Sequence, residues 1–246
     1  MADADLRRST WRSIAAFQRL FGEHPADSEL LEDDDFVASA VPGSASSLIN
    51  AAVPLGGAPV APHLDEIARF FADIPKWGVW INPAATADAQ ALENAGLVLD
   101  STPVLMASPL DAVDRDEQTR VVRVSMDDVG MVNDAAYGLP AGTLGDPLSC
   151  LPGNSLHVYG IKEARETVSV AVFQDVEHDT FVSMVATLPA YRGERLASRV
   201  LAHGLHEAEQ RGQLTTSLQA SKLGQSIYAR LGFSPLGEIH LYERRP

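Results

Sequence analysis

The apolar positions of the first 21 residues fall at helical spacing, with Leu6, Ile14, Phe17, Leu20 and Phe21 on one side and Arg7, Arg8, Arg12 and Arg19 outside. They predict a helix over 5–21 that Gly22 and Pro25 end. Apolar runs at 36–41 and 48–53, separated by Pro42-Gly43-Ser44, predict a hairpin. A second helix is expected over 63–74, a strand over 77–81, a helix over 87–95 closed by Gly96, and an extended segment over 98–106. The polar, aperiodic stretch 109–116, PLDAVDRD, reads as a linker. Beyond it the pattern predicts a strand over 121–124, a helix over 126–137, and a Gly- and Pro-rich loop or short helix over 138–154. Three strands follow, over 156–161, 167–176 and 180–187, and their short turns EAR and EHD imply an antiparallel meander. A strand over 214–219 and a helix over 222–231 come next, the helix capped by Ser221 and stopped by Gly232. An extended pair over 233–242 then joins the preceding sheet.

The sharpest local pattern is FVSMVATLPAYRGERLASRVLAHGLHEAEQRG, residues 181–212. A partly β-branched strand ends at Pro189, Arg192-Gly193 supply a turn, and Leu196, Val200, Leu201, Leu205 and Ala208 form a helical stripe as far as Gly212. Such a strand-turn-helix aims free backbone N–H groups and the positive end of a helix dipole at one spot. That suits an anion such as a phosphate.

Composition narrows the picture. With 46% hydrophobic and 21% charged residues in 246, the chain can bury one large core or two small ones and is not disordered. Its net charge of −14 is uneven, −11 over 1–116 and −3 over 117–246. This acidity argues against nucleic acid as the main partner and suits a cationic or amine substrate, with solvated acidic surface the commoner explanation of such charge. The single cysteine, Cys150, rules out an internal disulfide framework and a multi-cysteine metal site, and with no base beside it in LGDPLSCLPGN it reads as a loop residue. No run of 18 apolar residues and no signal-peptide core occur, so a soluble cytoplasmic protein without a membrane partner is expected.

The two halves repeat an order of elements: hairpin, helix, strand, helix ending in Gly, strand. QALENAGLVL (90–99) parallels IYARLGFSPL (227–236), and WGVWINP stands where TTSLQAS stands later. The first half has APVAPHL where the second has its Arg-Gly turn, so only the second keeps an anion site.

Taken together, VATLPAYRGERLAS, SLQAS and IYARLGF, in that order and separation, make residues 121–243 resemble the GNAT superfamily of acyl-CoA-dependent N-acyltransferases. The resemblance implies an α/β (α+β) fold with a central mixed, mostly antiparallel sheet flanked by helices. With the repeat, it implies a tandem of two GNAT-like halves: a degenerate domain over 1–110 without a phosphate loop, and an acyl-CoA-binding domain over 117–246. The family signature is Gln or Arg, two variable residues, Gly, one variable residue, then Gly or Ala. Here the window is Arg192, Gly193, Glu194, Arg195, Leu196, Ala197; its ends agree and the central Gly is Arg195. In the family these N–H groups hold the cofactor diphosphate, and Gly allows close approach. Arg195 can turn its side chain outward, and a guanidinium attracts a diphosphate.

The resemblance further implies that Val185, Ala186 and Thr187 splay from Leu218, Gln219 and Ala220, so that the acyl-pantetheine arm threads the gap as an added strand. It implies that Tyr228 protonates the departing CoA thiolate, a phenol near pKa ~10 facing a thiol near ~8.5. Ser221 stands where the family often has Asn and would cap a helix and reach the cofactor. Two ordinary core strands and a core aromatic are the alternatives.

The base that deprotonates the amine is not fixed. Glu177, His178 and Asp179 sit on a hairpin tip, His157 and Tyr159 alternate on one strand, and Tyr137 precedes the loop that would line an acceptor pocket. His203 and His206, three apart on a helix, complete no metal site. The expected activity is transfer of an acetyl group from acetyl-CoA to a primary amine of a small molecule or peptide by direct attack, with a homodimer left open. A non-catalytic acyl-CoA sensor, or a structural protein that has lost the cofactor through Arg195, are the alternatives.

Overall fold

The computed structural model describes residues 3–116, 118–153 and 155–245. Helix α1 (Asp3–Glu23) leads to strands β1 (Glu29–Glu32), β2 (Phe36–Ala40) and β3 (Ala51–Pro54), helix α2 (Leu64–Phe70), strand β4 (Trp77–Ile81), helix α3 (Thr86–Asn94), and strands β5 (Val98–Ser101) and β6 (Val104–Pro109). The second half contains β7 (Val121–Arg123), α4 (Met126–Tyr137), α5 (Gly145–Ser149), β8 (His157–Glu163), β9 (Glu166–Val176) and β10 (Asp179–Thr187). It ends with α6 (Leu196–Gln210), β11 (Thr215–Ala220), α7 (Gln225–Arg230), β12 (Ser234–Glu238) and β13 (His240–Arg244). Two mixed, mostly antiparallel sheets flanked by helices result, in the expected tandem. Among the described residues no helix is long and apolar enough to cross a membrane.

The sheets run β1-β2-β3-β4-β13-β5 and β12-β6-β11-β10-β9-β8-β7. Among the described residues each has a single parallel pair, β3 with β4 and β10 with β11, bridged by α2 or α6. Each also receives a strand from the other half at the same place: β13 enters between β4 and β5, and β6 enters between β11 and β12. This matched exchange extends the repeat seen in the sequence from element order to strand pairing.

It also changes three expectations. The extended segment 98–106 is two strands in different sheets, divided beside Pro103, which has no N–H to continue a ladder. The 233–242 pair does not join one sheet, because β12 pairs with β6 whereas β13 crosses to β4 and β5. Ile239 N–H donates to the Pro103 carbonyl at 2.9 Å, so the two crossing points are bonded to one another. A cut between 110 and 117 therefore leaves one strand of each sheet beyond it. The 109–116 stretch is not a free linker either: Leu110 and Val113 are buried, and Asp114 N–H donates to Leu231 O at 2.7 Å.

α1 lies between the sheets. Its Phe17, Leu20 and Phe21 share one core with Val37 and Val53 of the first sheet and with Leu105, Val172 and Phe181 of the second. The Ser13 hydroxyl donates to the Asp179 carboxylate at 2.8 Å, and the Gln18 amide donates to Ser39 and to the Ile49 carbonyl, each at 2.7 Å. α4 packs beside α1 on the same face of the second sheet, where Val129 and Val132 enter that core. On the opposite face, α6 buries Val200, Leu201 and Leu205 against Phe173, Val182 and Leu218. The outer face of the first sheet packs Ile67, Phe71 and Leu92.

Candidate active site

β10 and β11 run side by side only from Asp179 opposite Thr215 to Val182 opposite Leu218. β11 continues along β6 as far as Ala220, while β10 shifts register against β9 between Ser183 and Ala186. The strands therefore part just beyond Val182 and Leu218, with Val185, Ala186 and Thr187 on one arm and Gln219 and Ala220 on the other. A bulge causes the parting, since an inserted residue bends and twists its strand. Met184 sits in it at φ 49, a left-handed conformation that a side chain resists. Asn133 of α4 holds the bulge by donating its Nδ2 to Met184 O at 3.2 Å and to Val129 O at 2.9 Å. Ser169 fastens the far arm, with its hydroxyl 2.9 Å from that of Thr187.

At the mouth of this fork the chain makes a short 3-10 turn, Pro189–Tyr191, and swings through Gly193 at φ 86 into α6. No side chain caps α6, and its first internal bond runs from Arg199 N–H to Arg195 O at 3.1 Å. The N–H groups of Leu196, Ala197 and Ser198 are left without an intrahelical acceptor. Leu196 anchors the helix in the core, whereas Glu194 and Arg195 are exposed. Arg195 adopts φ 59, ψ 21, so the backbone takes at this position the conformation that glycine adopts freely. Arg192 turns away from the helix start: its guanidinium donates to Ala136 O at 2.7 Å and to Thr187 O at 3.3 Å. It thereby closes the C-terminal end of α4, where a cation opposes the dipole.

Tyr228 is 8% exposed, packs edge-on to Phe233 at 5.9 Å, and lies over Gly224, where an added Cβ would come within 2.8 Å of its ring. Its hydroxyl has no hydrogen-bond partner among the described residues. Burial, with a smaller contribution from Tyr137, pushes the phenol well above its ordinary value. The phenol is therefore held protonated and can donate a hydrogen bond. Ser221 Oγ accepts from Gly224 N–H at 3.3 Å, so it caps the turn leading into α7 and not the helix itself.

Asp179, at the closed end of the β10–β11 pair, is buried and accepts from the hydroxyls of Ser13, Thr215 and Ser217. Burial raises its carboxyl. Glu177 and His178 are exposed on the turn, with Glu177 facing Arg12 at 3.6 Å. His157 and Tyr159 face α6, two strands away from the fork. Burial and Arg211 depress His157, which lies 3.6 Å from Asp175. His203 sits edge-on to Tyr159 at 5.0 Å. Away from all of these, Asp33, His63 and Glu66 bring ligand atoms within 4.8 Å of one another. Both His63 ring nitrogens face carboxylates there, Asp33 at 3.3 Å and Asp35 at 3.2 Å.

Asn133, one turn after Val129, is a buried polar residue on the apolar stripe of α4. Nothing local marked Ser183, and Gln219 stood out only as part of the strand expected to splay; both lie where the two strands part.

Each sheet has a parallel strand pair joined by a crossover helix, and in the second sheet that pair opens at a bulge toward the uncapped start of α6. Residues 169–236 match the acetyltransferase (GNAT) domain family, a segment that holds all three motifs quoted above. A GCN5-related N-acetyltransferase from Kribbella flavida superposes with a TM-score of 0.69 over 96% of each chain, at 19% identity. A GNAT-family protein from Novosphingobium aromaticivorans does so with 0.61 over 97% of this chain and 96% of its own, at 16% identity. For a GCN5-related N-acetyltransferase from Sphaerobacter thermophilus the values are 0.55, 89% and 76%, at 15% identity. At these identities the likeness is one of fold, and it spans both halves. No curated protein matches the sequence.

Proposed function

We propose that the protein is an acetyl-CoA-dependent N-acetyltransferase acting on a primary amine of a small molecule or peptide. The observation that carries this reading is the fork itself, with free N–H groups of α6 at its mouth and Tyr228 packed behind β11. Gly193, Glu194, Arg195, Leu196 and Ala197 would present backbone N–H groups to the diphosphate, and Arg195 would add its charge. The pantetheine arm would lie between Val185–Ala186–Thr187 and Gln219–Ala220, bonding like an added strand. Arg192 acts in this reading by holding the turn, since its guanidinium is committed to Ala136 and Thr187 and its N–H donates to Pro189 O at 3.4 Å.

In the reaction the neutral amine nitrogen forms a bond to the acetyl carbonyl carbon and the carbon–sulfur bond breaks. The amine's proton passes to solvent or a base, and the thiolate takes one up. Tyr228 would donate a hydrogen bond to the sulfur as charge develops, and holding the two reactants together supplies much of the rate.

Calorimetric titration with acetyl-CoA, with free CoA as control, tests the binding half. Thiol release across an amine panel tests the transfer. Absence of binding removes this function, and binding without turnover makes the protein an acyl-CoA sensor. Tyr228→Phe is expected to lower kcat by about tenfold or more with little change in KM.

A further inference from the structure

We infer that the first half carries a site for a divalent transition-metal cation such as zinc, formed by Asp33, His63 and Glu66. The site lies outside the fork, and the inference stands whether or not the protein is a transferase.

The three residues come from two segments. Asp33 occupies the turn between β1 and β2, and His63 and Glu66 belong to the entry of α2. His63 and Glu66 are three apart, a spacing that puts both side chains on one helix face. The ligand atoms of all three lie within 4.8 Å of one another. Asp33 Oδ2 and His63 Nδ1 already stand 3.3 Å apart. Two ligands of a tetrahedral zinc take a separation of roughly 3.3–3.5 Å. Glu66 is exposed, so rotation of its side chain brings its carboxylate to the same point.

The surroundings hold the ligands in place. Asp33 Oδ1 accepts from the N–H groups of Asp35 and Phe36 at 2.7 and 2.9 Å, which leaves Oδ2 directed at the ring. Phe36 packs against the imidazole with ring centroids 5.2 Å apart. On the far side of the ring, His63 Nε2 lies 3.2 Å from Asp35 Oδ2. A metal-bound histidine ordinarily gives its other ring N–H to a carboxylate in this way, which fixes the tautomer and strengthens the ligating nitrogen.

That tautomer sets what is needed at Nδ1. A neutral imidazole has one N–H and one lone pair. With the N–H at Nε2 given to Asp35, the Nδ1 lone pair confronts the Asp33 carboxylate. A second proton would answer that single contact, but it gives Glu66 no reason to converge there too. A metal cation takes all three groups. The imidazole selects a first-row metal such as zinc over magnesium or calcium, which prefer oxygen alone. Three protein ligands leave a fourth position for water, and the bound ion would fasten the β1–β2 turn to α2.

The test is calorimetric titration of the untagged, chelator-treated full chain with zinc chloride, with magnesium chloride as control. One zinc ion per chain is expected, with magnesium bound at least about a hundredfold more weakly. His63→Gln and Glu66→Gln should each weaken zinc binding about tenfold or more, and Asp35→Asn about tenfold with the stoichiometry kept. Glu66 is exposed, so its variant reads the site even where a change at His63 disturbs folding. Cobalt(II) added in place of zinc should give visible absorption bands that disappear in His63→Gln. His24→Gln, a change at a histidine elsewhere, should leave zinc affinity as it is. Absence of zinc binding, binding unaffected by both His63→Gln and Glu66→Gln, or magnesium held as tightly as zinc overturns the site and leaves only a polar contact between the turn and the helix.

Discussion

The Asn133 side-chain amide donates to the Met184 carbonyl at 3.2 Å, tying α4 to the bulge that opens β10 from β11. Asn133→Ala removes this bond and the one to Val129 inside a closed core. A loss of about 1–3 kcal/mol is expected, with Tm falling about 2–4 °C for each. Met184, no longer held in its left-handed conformation, should relax and narrow the fork, so acetyl-CoA affinity should fall as well. Thermal unfolding and calorimetry on the same samples check both, and an unchanged Tm would show that the bond does not brace the bulge.

Arg195 carries two opposed effects. Its left-handed backbone costs about 1 kcal/mol in a residue with a side chain. Arg195→Gly should therefore raise the unfolding free energy by about 0.5–1 kcal/mol, less some entropy of the glycine in the unfolded chain. If its guanidinium attracts the diphosphate, the same variant binds acetyl-CoA more weakly at low salt, and the difference fades at high salt. Tighter binding in the variant at every ionic strength would show that the side chain obstructs.

Gly204 lies inside α6, where glycine to alanine ordinarily stabilises a helix by about 1 kcal/mol. Here an added Cβ falls within the ring of Phe173, which is fully buried in the sheet below. Gly204→Ala should instead destabilise by about 1–3 kcal/mol, because the ring has no room to withdraw. Urea denaturation gives the sign directly.

Asp179 gives a pH dependence whose sign can be stated. Burial holds its folded pKa above the unfolded value of ~3.9, with the hydroxyls of Ser217, Ser13 and Thr215 opposing the shift. Its contribution to stability is thus full below about pH 4 and is lost as pH rises through the folded value. Asp179→Asn lacks this loss, so its stability relative to the unaltered protein should be greater at pH 7 than at pH 4. Groups common to both proteins cancel in that difference. A difference that is equal at the two pH values would mean Asp179 keeps an ordinary pKa.

Most elements were legible in the sequence because each is governed by neighbours a few residues away. The 3.6-residue stripe placed α4 at 126–137, and the buried run WGVWI placed β4 at 77–81, both as observed. The β1 strand was missed because ELLE has two acidic ends and only partly buried leucines, too short and polar to show alternation. The turn from Pro189 through Gly193 was equally readable, since proline and glycine fix local dihedrals wherever they occur.

The sequence by itself determined most of the helices and strands, that the halves repeat, and that a basic glycine turn feeds a long helix. Tertiary structure decided that β6 and β13 change places, that α1 is shared by two sheets, and that Arg192 bonds to Ala136 while Arg195 takes the strained backbone. It also decided that Asn133 of α4 reaches the bulge at Met184. The physical reason is range: periodicity and turn chemistry act over a few residues, whereas a strand's partner is chosen by which free edge and which apolar face across the molecule it completes. Ser217 and Gln219 are two residues apart on one strand, and only the departure of β10 leaves the first bonded to Asp179 and the second without a partner.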